Sequence, residues 1–594
     1  MSYAISQPTY TSTSAATEPN LRLWPGLLAV LIQWIVIKGP GLAELSGNHQ
    51  FMGAFFGPMF GVLGVLVWWL FLSRARWVDR LTMPVLFAAL GAATYYFADP
   101  TFQGKPPFRG MPLIMYGLPL VTTAWVVWLT VGAWLSWPIR RVGLVLVLLL
   151  ACGASDAARF DGVDGSFKGE LSLRWSLTAE QKFQAERAGR EASGETSTEK
   201  LPTEAEWPGF RGADRLGRLT GFRIDTDWST PPKELWWHRV GPGWGSFAVA
   251  GDRLFTQEQR GKQEAVICYH AKTGAELWVH ANEIRFEEAV AGPGPRATPT
   301  FHEGKLYTLG ATGKLDCLDA STGKPIWSRD IAEESGAKVP TWAFSASPLV
   351  ANGLVTVFAG GENGKSVLAY HAETGSPAWS AGDGLNSYAS TQLVRLAGVE
   401  QIVVASGEEL TSFEPTTGKV LWKHEWPMNK GMPRCVQTAV IGDSDVLLGT
   451  GMNQGLRRLH IAKKGDAWEA EEVWTTTKIS PYFNDLVVHD GHLYGFDGNF
   501  FTCISLEDGE SKWRARGYGS GQVLLLADQG LLLVLSETRQ VSLLKATPEQ
   551  HTILGKFLAL KLKGKTWNHP VIAGGKLFVR NGEEMACFEL RAAK

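Results

Sequence analysis

Charge and cysteine are both scarce in this chain, and each scarcity narrows what it does. Only 19% of its 594 residues are charged, and 57 basic against 58 acidic side chains leave a net charge of −1. No basic block stands out, which argues against a nucleic-acid partner. The six cysteines, Cys152, Cys268, Cys317, Cys435, Cys503 and Cys587, are never adjacent and form no C-x-x-C or C-x-x-C-H pattern. That excludes c-type haem attachment, thioredoxin-like redox chemistry and zinc sites built on cysteine pairs. Composition excludes long disordered and collagen-like stretches. Tryptophan is in excess, with nine of 25 in the first 154 residues and sixteen after them. The same boundary separates two kinds of sequence.

Before it lie five apolar stretches, roughly Leu23–Ile37, Phe51–Leu72, Leu81–Phe97, Met111–Trp137 and Val142–Ala154. A helix crossing the hydrocarbon core needs about 20 apolar residues, about 17 at the lower end. The second to fourth stretches meet this, and the first and fifth are short. Arg74, Arg76 and Arg80 follow the second stretch, and Arg140 and Arg141 precede the fifth. Placing both loops in the cytoplasm satisfies the positive-inside rule and leaves chiefly Lys38, Lys105 and Arg109 elsewhere. Five spans from an inside N-terminus send everything after Ala154 out. The expected location is therefore the inner (cytoplasmic) membrane, multi-pass, with a periplasmic C-terminal domain. Trp68, Trp69, Trp77, Trp134 and Trp137 sit at stretch ends, where interfacial aromatics collect. Further spans after the first argue against a cleavable signal peptide. RRVGLVLVLLLAC, ending at Cys152, reads either as a lipobox or as the outer end of a short fifth span. Residues 155–206 read as an extracytoplasmic linker. Within it, SLTAEQKFQAERAGRE suits a short polar helix, and GETSTEKLPTEAE suits a mobile tether that does not pack.

The remainder repeats. The phrases AKTGAELW, ASTGKPIW, AETGSPAW, PTTGKVLW and LEDGESKW end at Trp278, Trp327, Trp379, Trp422 and Trp513. Weaker copies end at Trp236 and Trp474, and a degenerate one at Phe557, which makes eight. Each period holds short alternating runs with tight turns, the signature of a four-stranded propeller blade. The T-G pair supplies a turn before the outer strand, and the tryptophan packs between neighbouring sheets. After Phe557 only three strands remain, HPVIAG, KLFVRN and MACFEL. The missing strand is KELWWHR, Lys233–Arg239, so N-terminal residues are expected to complete the last blade and close the ring. Cys268, Cys317 and Cys503 share one phase with Ala369 and Ser412. This is a small-residue slot on the third strand, and free buried thiols are expected there.

The A-x-T-G-x-x-x-W phrase, the eightfold count and the lead-in WPGFRG (Trp207–Gly212) resemble the pyrroloquinoline-quinone (PQQ)-type propeller family, over roughly Trp207–Leu590. The implied architecture is a helical membrane domain (1–154), a linker (155–206) and an all-β eight-bladed propeller (207–594). Five spans before a propeller resemble membrane-bound quinoprotein glucose dehydrogenase. That branch implies oxidation of an alcohol or sugar, with electrons passed to membrane quinone. It also implies PQQ over a tryptophan floor with Ca²⁺, an aspartate base and often a Cys-Cys pair, which this chain lacks. A second branch holds compact, non-catalytic propellers resembling the lipoprotein of the outer-membrane protein assembly machinery, and it implies envelope protein partners. Loops here are short, the longest near Glu283–Arg296 and Glu333–Phe344, which favours the compact branch, a binding or scaffold module, or else a stripped-down site.

Candidate site residues follow from position. The entrance to each inner strand faces the axis of a propeller, and there the sequence sets Trp244, Arg296, Trp342, Tyr388, Arg434, Phe483, Asn484, Trp567 and Asn568. Arginine pairs carboxylates and tryptophan stacks, so a planar anion or an acidic peptide fits; so does a hydrated channel whose polar groups satisfy strand ends. Asp485 is the candidate base, and no ligand set for a metal can be assigned. GGENGKS (Gly360–Ser366) falls short of a phosphate loop and reads as a hairpin turn. His489 and His492 flank a turn, and His270 and His371 read as outer-strand surface residues.

Overall fold

The computed structural model describes residues 20–43, 45, 47–104, 109–165, 168–189, 199–429, 432–451 and 453–593. Lys105 and residues 190–198 of the linker lie outside the described residues. The chain divides into a helical unit, which ends at Asp161 and includes Gly169–Trp175, and a propeller unit formed by Gly162–Lys168 and Ser176–Lys594.

In the helical unit the long helices are Trp24–Leu42, Gly47–Val67, Trp77–Phe97, Leu118–Val131 and Trp137–Asp156. The second runs on through a π-helical turn, Trp68–Leu72. By length and composition, four segments suffice to cross a membrane: Trp24–Leu42, His49–Leu72, Leu113–Trp134 and Trp137–Asp156. At about 1.5 Å per residue they run from about 28 to about 36 Å, enough for a hydrocarbon core of about 30 Å. The expectation of five is thus met by four, and the weak stretch is not where the sequence placed it. The first and fifth stretches gain length from flanking residues that stay helical. The third helix has 21 residues but carries Asp79, Arg80 and a Tyr-Tyr pair, which dilute its apolarity.

Gly53, Gly57 and Gly61 bring the second helix against the first. A Cβ at Gly53 or Gly57 would collide with Val36 or Ile37, and one at Gly61 would overlap Gln33. Gln33 is wholly buried and its side-chain oxygen accepts a hydrogen bond from Thr122 Oγ1 (2.9 Å), tying the first helix to the fourth. The third helix runs beside the last in the same direction. Asp79 meets Arg141 (2.9 Å) and Trp137 Nε1 (2.9 Å) at one end. At the other, Thr101 Oγ1, just beyond the helix, accepts from the Phe160 amide (2.9 Å). Cys152 is buried within the continuous last helix, packed with Leu144 and Leu148 in one cluster, as a span residue would be.

The propeller has eight blades. Seven are built from consecutive strands in the order inner to outer: Ala248–Asn282, Thr300–Asp330, Leu349–Ala381, Gln392–Glu425, Ala439–Thr476, Val487–Ala515 and Gln522–Leu558. The eighth, Val571–Glu589, takes Lys233–Arg239 as its outer strand, with Trp236 opposite Cys587. Ring closure is as the sequence implied.

The repeat phrase works between blades. Trp278 Nε1 donates to the Ala320 carbonyl of the next blade (3.1 Å), the residue that opens that blade's own S-T-G turn. Gly323 of this turn lies flat on the Trp278 ring. Its φ is +71°, and a Cβ would collide with the indole. The pairing recurs as Trp327 on Gly375 and Trp379 on Gly418. Thus the Gly and Trp of one phrase serve two different interfaces, one behind and one ahead. The fifth blade lacks a T-G turn, so Trp422 of the fourth donates within its own blade, to Gln401 Oε1 (2.7 Å). Within a blade the tryptophan stands opposite the small-residue slot: Cys268 faces Trp278, Cys317 faces Trp327 and Cys503 faces Trp513. All six cysteines are free thiols.

Two expectations change. The polar helix is present at Ala179–Ala188, opened by a Thr178–Gln181 capping box. It docks, with Phe183 buried under Arg260 and Glu180 and Glu186 paired with Arg285 (3.0 Å) and Arg239 (2.6 Å), and the described end of the expected tether packs too: Leu201 and Ala205 lie against the first blades and Glu206 accepts from the Gly251 amide (2.9 Å). His270 and His371 end third strands, not outer ones. Gly360–Ser366 is the expected hairpin turn, and His489 and His492 flank a two-residue turn.

Candidate functional site: the propeller axis

The entrances to the inner strands converge on the axis, and two systems share the space. The first is a relay of hydrogen bonds two residues ahead of each inner strand. The Ser246 amide donates to Thr298 Oγ1 (2.9 Å), Thr298 to Ser347 Oγ (2.9 Å) and Ser347 to Ser390 Oγ (2.9 Å). Ser390 then donates to Gln437 Oε1 (3.2 Å), and Gln437 to Asp485 Oδ1 (2.7 Å). Six consecutive blades are stapled this way by short buried polar side chains, which satisfies amides that no ladder reaches. At the seam, Ser246 Oγ donates to the His569 carbonyl (2.5 Å).

Asp485 ends the relay. Its second oxygen turns across the axis to Arg211 (3.5 Å) and to His569 Nε2 (3.1 Å). Burial opposes its ionisation, but Arg211, His569 and the Gln437 amide together hold its carboxyl below the usual range. Burial also lowers His569, against the pull of Asp485. A carboxylate so fully paired is held as an anion and as a brace.

Arg211 belongs to the lead-in, which sequence reasoning did not place at the axis. Trp207 exchanges backbone hydrogen bonds with Val249 of the first blade (3.1 and 2.7 Å), and the Pro208 carbonyl accepts from Phe301 of the second (2.7 Å). Arg218–Leu219 then joins the seventh blade as a short parallel strand. Between them the chain crosses the axis. Arg211 donates to the Leu486 carbonyl (2.6 Å). Arg215 donates to the carbonyls of Ser347 (3.0 Å), Thr391 (2.9 Å) and Pro348. Both have positive φ, +60° and +57°, where L side chains are uncommon. Burial lowers the Arg215 pKa to about 9. A repeat search is blind to these residues because they occur once.

The second system is an arc of six half-buried aromatic rings. Tyr388, Trp342, Tyr482, Phe483, Trp567 and Trp244 follow one another with centroids 5.4, 6.1, 5.9, 5.3 and 5.0 Å apart. The structure thus unites Trp244, Trp342, Tyr388, Phe483 and Trp567 and adds Tyr482. Trp244 Nε1 and Trp342 Nε1 are buried and, among the described residues, have no acceptor. Glu537 accepts from Trp567 Nε1 (2.7 Å), and burial raises its pKa.

The other candidates do not line the mouth. Arg434 is wholly buried and spends its three nitrogens on the carbonyls of Ser406, Gly449 and Trp426 (2.6 Å each). Asn484 donates to the Gly521 carbonyl (2.6 Å), and Asn568 to Gly243 and Gly245 (3.2 and 2.8 Å). All three join neighbouring blades. Arg296 pairs with Glu288 (3.0 Å) and reaches the Gly292 and Gly294 carbonyls. Nearby, burial pushes Glu264 up to about 7, although the Ala311 amide and Arg296 favour its anion.

PQQ carries three carboxylates beside its quinone and, in the resembled enzymes, a divalent ion. Here the guanidinium groups of Arg211, Arg215, Arg296 and Arg434 are committed to carbonyls or to one carboxylate each. No three His, Cys, Asp or Glu side chains among the described residues meet as a metal-ligand set. The axial arginines are therefore not free to pair the carboxylates of such a cofactor.

Residues 262–515 match a family described as outer membrane protein assembly factor BamB. The chain is 26% identical over 294 residues to quinohemoprotein alcohol dehydrogenase ADH-IIG of Pseudomonas putida, covering 46% of this chain and 36% of that one. It is 28% identical over 188 residues to polyvinylalcohol dehydrogenase of Sphingopyxis sp. (strain 113P3), covering 31% and 26%. It thus spans about a quarter to a third of these relatives' length. Among solved structures, BamB from Moraxella catarrhalis superposes with a TM-score of 0.44 at 14% identity, covering 60% of this chain and 99% of that one. Quinohemoprotein alcohol dehydrogenase from Comamonas testosteroni gives 0.46 at 11%, covering 70% and 85%.

Proposed function

From a propeller built of PQQ-like repeats behind a unit of apolar helices, we propose a membrane-anchored binding module of the cell envelope whose propeller lies on the periplasmic side. The observation that carries this reading is the commitment of the axial arginines. They hold the ring and its lead-in together, and Lys565, beside Trp567 at the mouth, donates to the Val290 carbonyl (2.8 Å). What remains available is the aromatic mouth, six partly exposed rings on rigid strand ends, the kind of surface that anchors a protein partner. A quinoprotein dehydrogenase is the second reading. The unpartnered indole N–H groups of Trp244 and Trp342 favour it, as do the names of the relatives.

A photo-crosslinking amino acid at exposed Thr341, beside Trp342, tests the first reading in intact cells. An adduct of discrete mass is expected there, and none from the same probe at Ile326 on a blade's outer edge. Equal labelling at both positions, or none at Thr341, overturns a mouth-directed partner.

A further inference from the structure

Six arginines from three separate stretches of chain meet at one end of the helical unit. Arg22 precedes the first helix, and Arg74, Arg76 and Arg80 surround the link between the second and third. Arg140 and Arg141 lie in the first turns of the last helix. Contacts between these stretches fix the grouping. The Arg22 amide donates to the Ser73 carbonyl (3.0 Å), and Trp68 Nε1 donates to the Arg22 carbonyl (2.6 Å). Asp79 joins the third helix to Arg141 and Trp137. Asp79 is the one acid at this end among the described residues, and it is buried. Arg22, Arg74, Arg76 and Arg141 are exposed.

The link itself is held rigidly. Ser73 Oγ donates to the Trp69 carbonyl (2.6 Å) and accepts from the Ala75 amide (3.2 Å), while Arg80 braces the Ala75 and Leu70 carbonyls (2.8 and 3.1 Å). Within it Arg74 has φ +61°, a conformation that favours glycine. An arginine there costs strain that, among the described residues, no hydrogen bond or ion pair of its own side chain offsets, which suits a residue kept for its charge. Around the arginines stand exposed tryptophans, Trp24 (62%), Trp77 (67%) and Trp134 (82%). Tryptophan prefers the depth of the lipid headgroups.

We infer that this end of the helical unit is a collar for anionic phospholipid headgroups, with Arg22, Arg74 and Arg141 supplying the phosphate contacts at the depth marked by the tryptophans. The inference rests on the reading of these helices as membrane spans. The occupant is a lipid phosphodiester rather than free phosphate, because the cations stand at the rim of an apolar bundle beside interfacial rings. A juxtamembrane basic residue near an anionic surface is worth roughly a fivefold change in binding.

The test uses the full chain in a neutral maltoside detergent, titrated with dihexanoyl phosphatidylglycerol, dihexanoyl phosphatidylcholine or inorganic phosphate and read by native mass spectrometry. Preferential retention of phosphatidylglycerol is expected. Arg22→Gln with Arg74→Gly should weaken it about 25-fold, and Lys38→Gln at the other end should leave it unchanged. Arg74→Gly suits the backbone at that position, so thermal melting should hold or rise. Equal retention of both lipids, equal binding of inorganic phosphate, or full retention by the double variant overturns the inference. Carbonate extraction of membranes separates this from the parent reading. A chain released by carbonate contradicts the spans themselves, whereas an integral chain without lipid preference contradicts the collar alone.

Discussion

Asp485 shows how a residue's chemistry is set by what surrounds it. Its sequence position, beside the axis, suits a general base. Its partners make it a paired anion that closes a six-blade relay and holds the lead-in by Arg211. Removing one member of a buried pair leaves a charge uncompensated, at a cost of about 3 kcal/mol. Asp485→Asn should therefore lower the melting temperature of the propeller by several degrees; an unchanged melt would contradict the brace. Glu264 gives a pH signature. Its folded pKa, about 7, lies above the ordinary 4.5, so the folded state binds a proton more tightly. That stability is complete below 4.5 and lost as pH rises through about 7. In urea titrations across this window Glu264→Gln should remove the fall, and a fall of unchanged size would exclude Glu264 as its source.

At the scale of the element, the repeat phrase was legible because its two conspicuous residues obey one contact rule. Gly323 must be glycine twice over, for its φ and for the Trp278 ring against it. Gly304 has a similar φ, +77°, but open space around it, so it isolates the first cause. Gly304→Ala should cost about 1 kcal/mol and Gly323→Ala about 2 kcal/mol or more, measured by chemical denaturation. Equal costs would mean that the tryptophan does not dock as described. Closure by Lys233–Arg239 was equally legible, since counting strands leaves one blade short. The lead-in was not. Arg211 and Arg215 act on backbone carbonyls of distant blades, and a carbonyl has no sequence. The docked linker helix was missed for a related reason: a single apolar residue, Phe183, anchors it among ion pairs.

For the whole molecule, the number of spans decides on which side of the membrane the propeller lies. Hydropathy alone passes four segments, yet the third helix accompanies the last from Asp79–Arg141 to Thr101–Phe160. We propose that the third helix crosses beside the last, as a fifth span. Alkaline phosphatase fused after Ala593 is then expected to be active in cells, since a fifth span would set the propeller in the periplasm. An inactive fusion that is still made would mean four.

We propose that the arginines of the propeller axis serve the fold and leave its mouth to binding rather than quinone chemistry. Isothermal titration of the detergent-solubilised full chain with PQQ, with and without Ca²⁺, tests it most directly. No saturable heat is expected at tens of micromolar in either condition. Stoichiometric binding that depends on Ca²⁺ would contradict it.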